Sequence, residues 1–114
     1  MRELKVLCVE DRAARLNLLR GKLEEIGYKV AAANSGEEAI EMFREEEFDG
    51  VLMESALPDY DSLTVRDEMR RMRPAVPVLL YAGIGRSTPM LLRFFDAYVR
   101  NPKSPESVLE SMRS

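Results

Sequence analysis

Short apolar runs along the chain alternate with stretches in which apolar residues return every three or four positions. Leu4 to Val9 has the length and composition of a buried central strand. Ala13, Leu16, Leu19, Leu23 and Ile26 then trace one apolar face of a helix, and Gly27 follows as a left-handed cap. Tyr28 to Ala33 predicts the second strand. Ser35 with Glu38 three residues on is a capping box, opening a helix that turns Ala39, Ile40 and Phe43 inward. Its acidic end, Glu45-Glu46-Glu47, reads as a solvated face. Phe48 to Met53 predicts the third strand, and Leu57-Pro58-Asp59-Tyr60-Asp61 the loop after it. Val65, Met69 and Met72 mark the core face of a third helix.

Pro77 to Ala82 reads as the fourth strand, and Gly83-Ile84-Gly85 as a loop. Thr88-Pro89 opens a short helix, with Thr88 as cap and Pro89 at its first position. Ala97 to Arg100 predicts a brief fifth strand, and Ser104-Pro105-Glu106 opens a last helix. Strands and helices in strict alternation predict an α/β, doubly wound parallel sheet with helices on both faces.

The 114 residues suit one domain over 1–114, with a core large enough to need neither metal nor disulfide. Against 20 acidic residues stand 17 basic ones, scattered among them, for a net charge of −3. No basic stripe emerges, so neither nucleic-acid binding nor membrane attachment is expected. Cys8 lies inside an apolar run and reads as a small buried hydrophobe, since no second cysteine and no histidine accompany it. The N-terminus has no long apolar segment, and a cytoplasmic location is expected.

In doubly wound sheets, chemistry gathers at the carboxyl ends of the strands. Glu10-Asp11 ends the first strand here and Glu54 the third. Three carboxylates so placed repel one another unless a proton or cation sits among them, and oxygen-only ligands suit Mg²⁺. Arg12 and Arg86 lie in neighbouring loops, with solvated side chains as the default for each.

These residues carry a resemblance. Val6-Leu7-Cys8-Val9-Glu10-Asp11 resembles the first strand of response-regulator receiver domains, the CheY-like family. Ser35-Gly36-Glu37-Glu38-Ala39 resembles its second-helix opening, and Phe48-Asp49-Gly50-Val51-Leu52-Met53-Glu54 with Leu57 to Asp61 its third strand and loop. Tyr98-Val99-Arg100-Asn101-Pro102-Lys103 resembles its fifth strand and following turn. The matches keep the family's order and spacing across nearly the whole chain. They imply a flavodoxin-like sheet in strand order 2-1-3-4-5, and a place in two-component, phosphorelay signalling.

The resemblance also implies a chemistry. In the family, an aspartate ending the third strand takes a phosphoryl group from a partner kinase's phosphohistidine. An acidic pair helps hold Mg²⁺, while a Ser or Thr and a Lys, ending the fourth and fifth strands, bind the phosphoryl oxygens. Carried over, the acidic pair is Glu10 and Asp11, the acceptor position is Glu54, the hydroxyl position Ala82 and the lysine position Asn101. Tyr98 matches the switch aromatic.

Glutamate moves the carboxylate outward by about 1.5 Å, an offset that costs in-line attack on the order of a hundredfold. Ala82 lacks the hydroxyl and Asn101 the charge. The expectation is therefore an atypical receiver, a pseudo-receiver that is not an enzyme. It would act by binding another signalling protein or a fused output domain, with no cofactor required and Mg²⁺ binding left open at Glu10, Asp11 and Glu54. Two rivals stand beside it. One is a receiver still phosphorylated on Glu54 or a nearby carboxylate such as Asp59 or Asp61. The other is an oligomerisation module with a vestigial pocket.

The stretch from Ala82 to Asn101 is about one helical turn shorter than the family's usual length. Met90, Leu91, Phe94 and Phe95 are more apolar than a short helix needs for one buried face, and are expected to form a partner or homodimer patch. The last helix is short for the family, which fits either a piece of a longer protein or a short single-domain form.

Overall fold

The computed structural model describes residues 3–83 and 88–102. The expected Gly83-Ile84-Gly85 loop beyond its first residue, Arg86, and the helix expected from Ser104 lie outside the described residues. Four strands are seen among the described residues: β1 (Lys5–Val9), β2 (Lys29–Ala33), β3 (Gly50–Glu54) and β4 (Val78–Tyr81). Four helices alternate with them: α1 (Ala13–Ile26), α2 (Gly36–Glu45), α3 (Ser62–Met72) and α4 (Thr88–Arg100). All strand pairs are parallel, in the order β2-β1-β3-β4. The protein has the expected α/β, flavodoxin-like fold.

The caps read from sequence shape the helix ends. Gly27 adopts φ 111°, a left-handed conformation that a Cβ would disfavour, and its N–H closes α1 on Glu24 O at 3.0 Å. Ser35 Oγ accepts from Glu38 N at 3.1 Å, while the Glu38 carboxylate reaches back to Asn34 N at 3.2 Å, one residue beyond the usual capping-box partner.

β1 and β3 are central strands, buried apart from half-buried Lys5 where β1 begins, so their alternate side chains enter two separate cores. On one face, Leu7, Val9, Val51 and Met53 meet Ala39 and Phe43 of α2 and Val65 and Met69 of α3. On the other, Val6, Cys8 and Leu52 meet Leu19 and Leu23 of α1 and Leu92, Phe95 and Val99 of α4. Burial pushes the Cys8 thiol up to about 12, which suits the inert role expected of it.

One segment departs from expectation. Ala97 to Arg100, expected as a fifth strand, is the last turn of α4, and Asn101 N closes that turn on Ala97 O at 3.0 Å. Leu92, Phe95 and Val99 recur at three- and four-residue steps, and all three are buried against the sheet. The helical period thus runs through the residues that aromatic and β-branched composition assigned to a strand. A tie involving three side chains fastens α4: Tyr28 OH donates to the Asp96 carboxylate, and Arg100 Nε donates to the same oxygen at 2.8 Å. Gly50 permits the close approach, since a Cβ there would stand 2.6 Å from Val99 Cγ2.

Candidate functional site

β1 and β3 are paired side by side, so their carboxyl ends deliver Glu10 and Glu54 to one edge of the sheet. Both are buried, Glu10 fully and Glu54 with 4% exposure, whereas Asp11 is exposed. A carboxyl group buried there needs donors, and each oxygen has at least one. Glu10 Oε1 accepts from Tyr81 OH at 2.7 Å, and Oε2 from Arg12 N at 3.0 Å. Glu54 Oε1 accepts from Ala56 N at 3.2 Å and more distantly from Ser55 Oγ at 3.4 Å. Glu54 Oε2 accepts from Gly83 N at 3.3 Å and faces Arg15 Nη1 at 3.5 Å.

Two of these partners went unnoticed in the sequence. Arg15, and not the expected Arg12, has its guanidinium at Glu54, while Arg86 lies outside the described residues; Arg15 sits four residues beyond Asp11, a spacing that could have flagged it. Tyr81 lies 71 residues from Glu10 and alternates with Leu80, so it faces the α1 side of the sheet. Burial, then the hydrogen bond to Glu10, raises the Tyr81 hydroxyl far above its ordinary pKa and keeps it a donor.

The other expected site residues fall into two groups. Ala82 is exposed directly after β4, next to the Gly83 amide that holds Glu54. Asn101 stands at the end of α4 instead of a strand end, and Tyr98 is buried on that helix with its ring tilted against Phe94 at 6.3 Å. The expected surface patch is divided by the helical period. Met90 is 61% exposed, Leu91 and Phe94 are half-buried, and Phe95 is fully buried in the core, so Phe95 does not belong to a surface.

Asp59 and Asp61 serve as caps. Asp59 accepts from Gly36 N at 2.9 Å and Glu37 N at 3.0 Å, bonds that hold its carboxyl below the usual range. Asp61 accepts from Leu63 N at 3.3 Å at the start of α3.

Carboxylates gathered at strand ends are the kind of oxygen ligands that suit Mg²⁺. Mg²⁺ takes carboxylate oxygens at about 2.1 Å and keeps its own waters. Here the four oxygens of Glu10 and Glu54 already face N–H and O–H donors, with a guanidinium beside one of them. Among the described residues no group of three or more His, Cys, Asp or Glu is arranged to hold a metal ion. Glu10 and Glu54, as they are arranged, do not fit the ion.

Comparison with known proteins places this geometry. Residues 6–100 match the family model of the response regulator receiver domain. A probable transcriptional regulator, ycf27, from Guillardia theta is 34% identical over 114 residues, covering 96% of this chain and 44% of the relative. The transcriptional regulatory protein ZraR of Escherichia coli K12 is 36% identical over 77 residues, covering 68% of this chain and 18% of the relative. The chain thus spans less than half the length of these curated relatives.

Among solved structures, response regulator TrrA of Thermotoga maritima, in complex with Mg²⁺-BeF, is 27% identical with a TM-score of 0.68, covering 77% of this chain and 76% of that one. TrrA in complex with the histidine kinase ThkA aligns at 28% identity and a TM-score of 0.67, covering 73% of this chain and 72% of that one. No helix among the described residues is long and apolar enough to cross a membrane. With strand order, strand-end carboxylates and family model in agreement, this chain belongs to the response-regulator receiver domains of two-component signalling.

Proposed function

We propose that this receiver domain no longer takes a phosphoryl group and works by binding another signalling protein. The observation that carries the reading is Glu54. It stands at the acceptor position, is nearly fully buried, and has both oxygens held by donors from α1, the β3–α3 loop and the residue after Ala82. A nucleophile must present a free oxygen in line with the phosphorus, and these contacts hold the carboxylate away from that role. Ala82 supplies no hydroxyl, and Asn101, at the end of a helix, supplies no ammonium charge. Asp59 and Asp61 are occupied as helix caps, which weighs against either as a substitute acceptor.

Receiver domains act with kinases or output domains, and TrrA has been solved with a histidine kinase. The partner proposed here is of that kind, engaged without a phosphoryl trigger. Incubation with acetyl phosphate and Mg²⁺ followed by intact mass measurement tests the first half. The unmodified mass is expected, and a phosphoryl adduct overturns the reading. Co-purification from native extract, with and without acetyl phosphate, tests the second half. The same partner is expected in both, and one captured only with the phosphoryl donor overturns it.

A further inference from the structure

We infer that Arg15 is the resident cation of the pocket, a guanidinium built into α1 that takes the place of a diffusible divalent ion beside Glu54. The inference rests on the reading of Glu54 as a substituted acceptor and deepens it.

Three observations support it. The Glu54 side chain is 6% exposed, so water meets little of its charge. Arg15 Nη1 lies 3.5 Å from Glu54 Oε2 while its own side chain is 31% exposed, so the guanidinium keeps part of its hydration as it faces the carboxylate. Glu54 Oε1 and both oxygens of Glu10 accept from backbone amides and the Tyr81 hydroxyl, and Gly83 N shares Glu54 Oε2 with Arg15, so each oxygen of these two buried carboxylates has a donor within the chain. A metal ion entering here would displace these donors and stand beside a fixed positive charge. The position follows from the chain's path: α1 begins directly after the β1 end, which sets Arg15 one turn above Glu10 and Asp11. Arg15 therefore offsets the Glu54 charge without metal, while buried Glu10 is held by neutral donors and Asp11 by solvent.

An arginine that merely happens to lie near the surface predicts something different, and amide NMR of the whole chain separates the two. With Mg²⁺ titrated at constant ionic strength, the Glu10, Glu54, Ala56 and Gly83 amides of the native chain should not move. Mn²⁺ should not broaden them selectively. In Arg15→Gln the same amides should shift saturably with Mg²⁺, and a lowered Tm should partly recover in its presence. Arg15→Lys, which restores the charge, should regain the metal silence. Arg15→Gln with Glu54→Gln should be silent too, because the carboxylate that Arg15 faces is gone.

Saturable shifts in the native chain overturn the inference, as does an Arg15→Gln variant that is folded and metal-silent. If Arg15→Gln does not fold alone, circular dichroism of refolding against Mg²⁺ replaces the titration. Rescue by the ion supports the assignment, and failure to rescue overturns it. The acetyl phosphate experiment is read separately. A native chain that binds Mg²⁺ and gains no phosphoryl mass overturns this inference and leaves the proposed function standing.

Discussion

From Lys5 to Tyr81 each helix runs between two strands of one sheet, so both its ends are fixed by neighbours in sequence. Thr88–Arg100 has a sheet strand only before it among the described residues, and it settles across the α1 face, against β1 and β3. The first region is specified by alternation, because a period of two must give way to a period near 3.6 at each boundary. In the second, aromatic and β-branched residues satisfy strand composition and helix spacing together. What decides between them is a surface to bury against, and Gly50, Tyr28 and the upper face of β3 provide it.

The sharpest way to break that comparison is to empty the core from each side. Phe43 and Phe95 are both fully buried, one under α2 and one under α4. Alanine at either should cost about 3–5 kcal/mol in urea unfolding. A much smaller loss for Phe95→Ala would show that α4 is not an equal part of the core. Next in size is the contact at Gly50. Gly50→Ala should destabilise by about 1–3 kcal/mol through its clash with Val99. Val99→Ala in the same chain should relieve part of the loss, a coupling that a double-mutant cycle reads directly.

The Tyr28–Asp96 tie has a smaller effect and a pH signature. Tyr28 is raised above its ordinary value by burial, then by its bond to Asp96. Its contribution is therefore full below about pH 10 and is lost as pH climbs toward the raised folded-state value. Tyr28→Phe should cost about 1 kcal/mol at neutral pH and reduce the alkaline slope of stability. Some slope should remain, because Tyr81 is shifted the same way. A variant with an unchanged slope would remove this tie from the account.

The smallest effect is expected at Asp59, which caps α2 from the β3–α3 loop. Asp59→Asn should cost about 0.5 kcal/mol near neutrality. Because the folded-state pKa is lowered, the difference should persist above about pH 4 and disappear as pH falls through the lowered value. Thermal unfolding of both chains across that range measures it.

Legibility in the sequence followed how local each signal was. Gly27 and Ser35 act on backbone within a few residues, and their caps form where the chain predicts them. Glu10 and Glu54 could be placed at strand ends from the run lengths alone. Phe95 could not be placed, since whether an apolar residue on a helix faces core or solvent depends on which sheet face the helix covers. The pocket's donors were hidden for the same reason. Tyr81 and Gly83 reach Glu10 and Glu54 only because β1, β3 and β4 lie side by side.

The sequence by itself determined the alternating α/β layout, through periodicity and spacing that are properties of a stretch of chain, and its motifs carried the resemblance to the receiver family. Only the tertiary structure decided that Ala97–Arg100 is helical, that Asn101 ends a helix, and that Arg15 and Tyr81 are the partners of the buried acids. Those outcomes turn on burial and on donors brought together from distant residues, and such contacts exist only once the sheet has assembled.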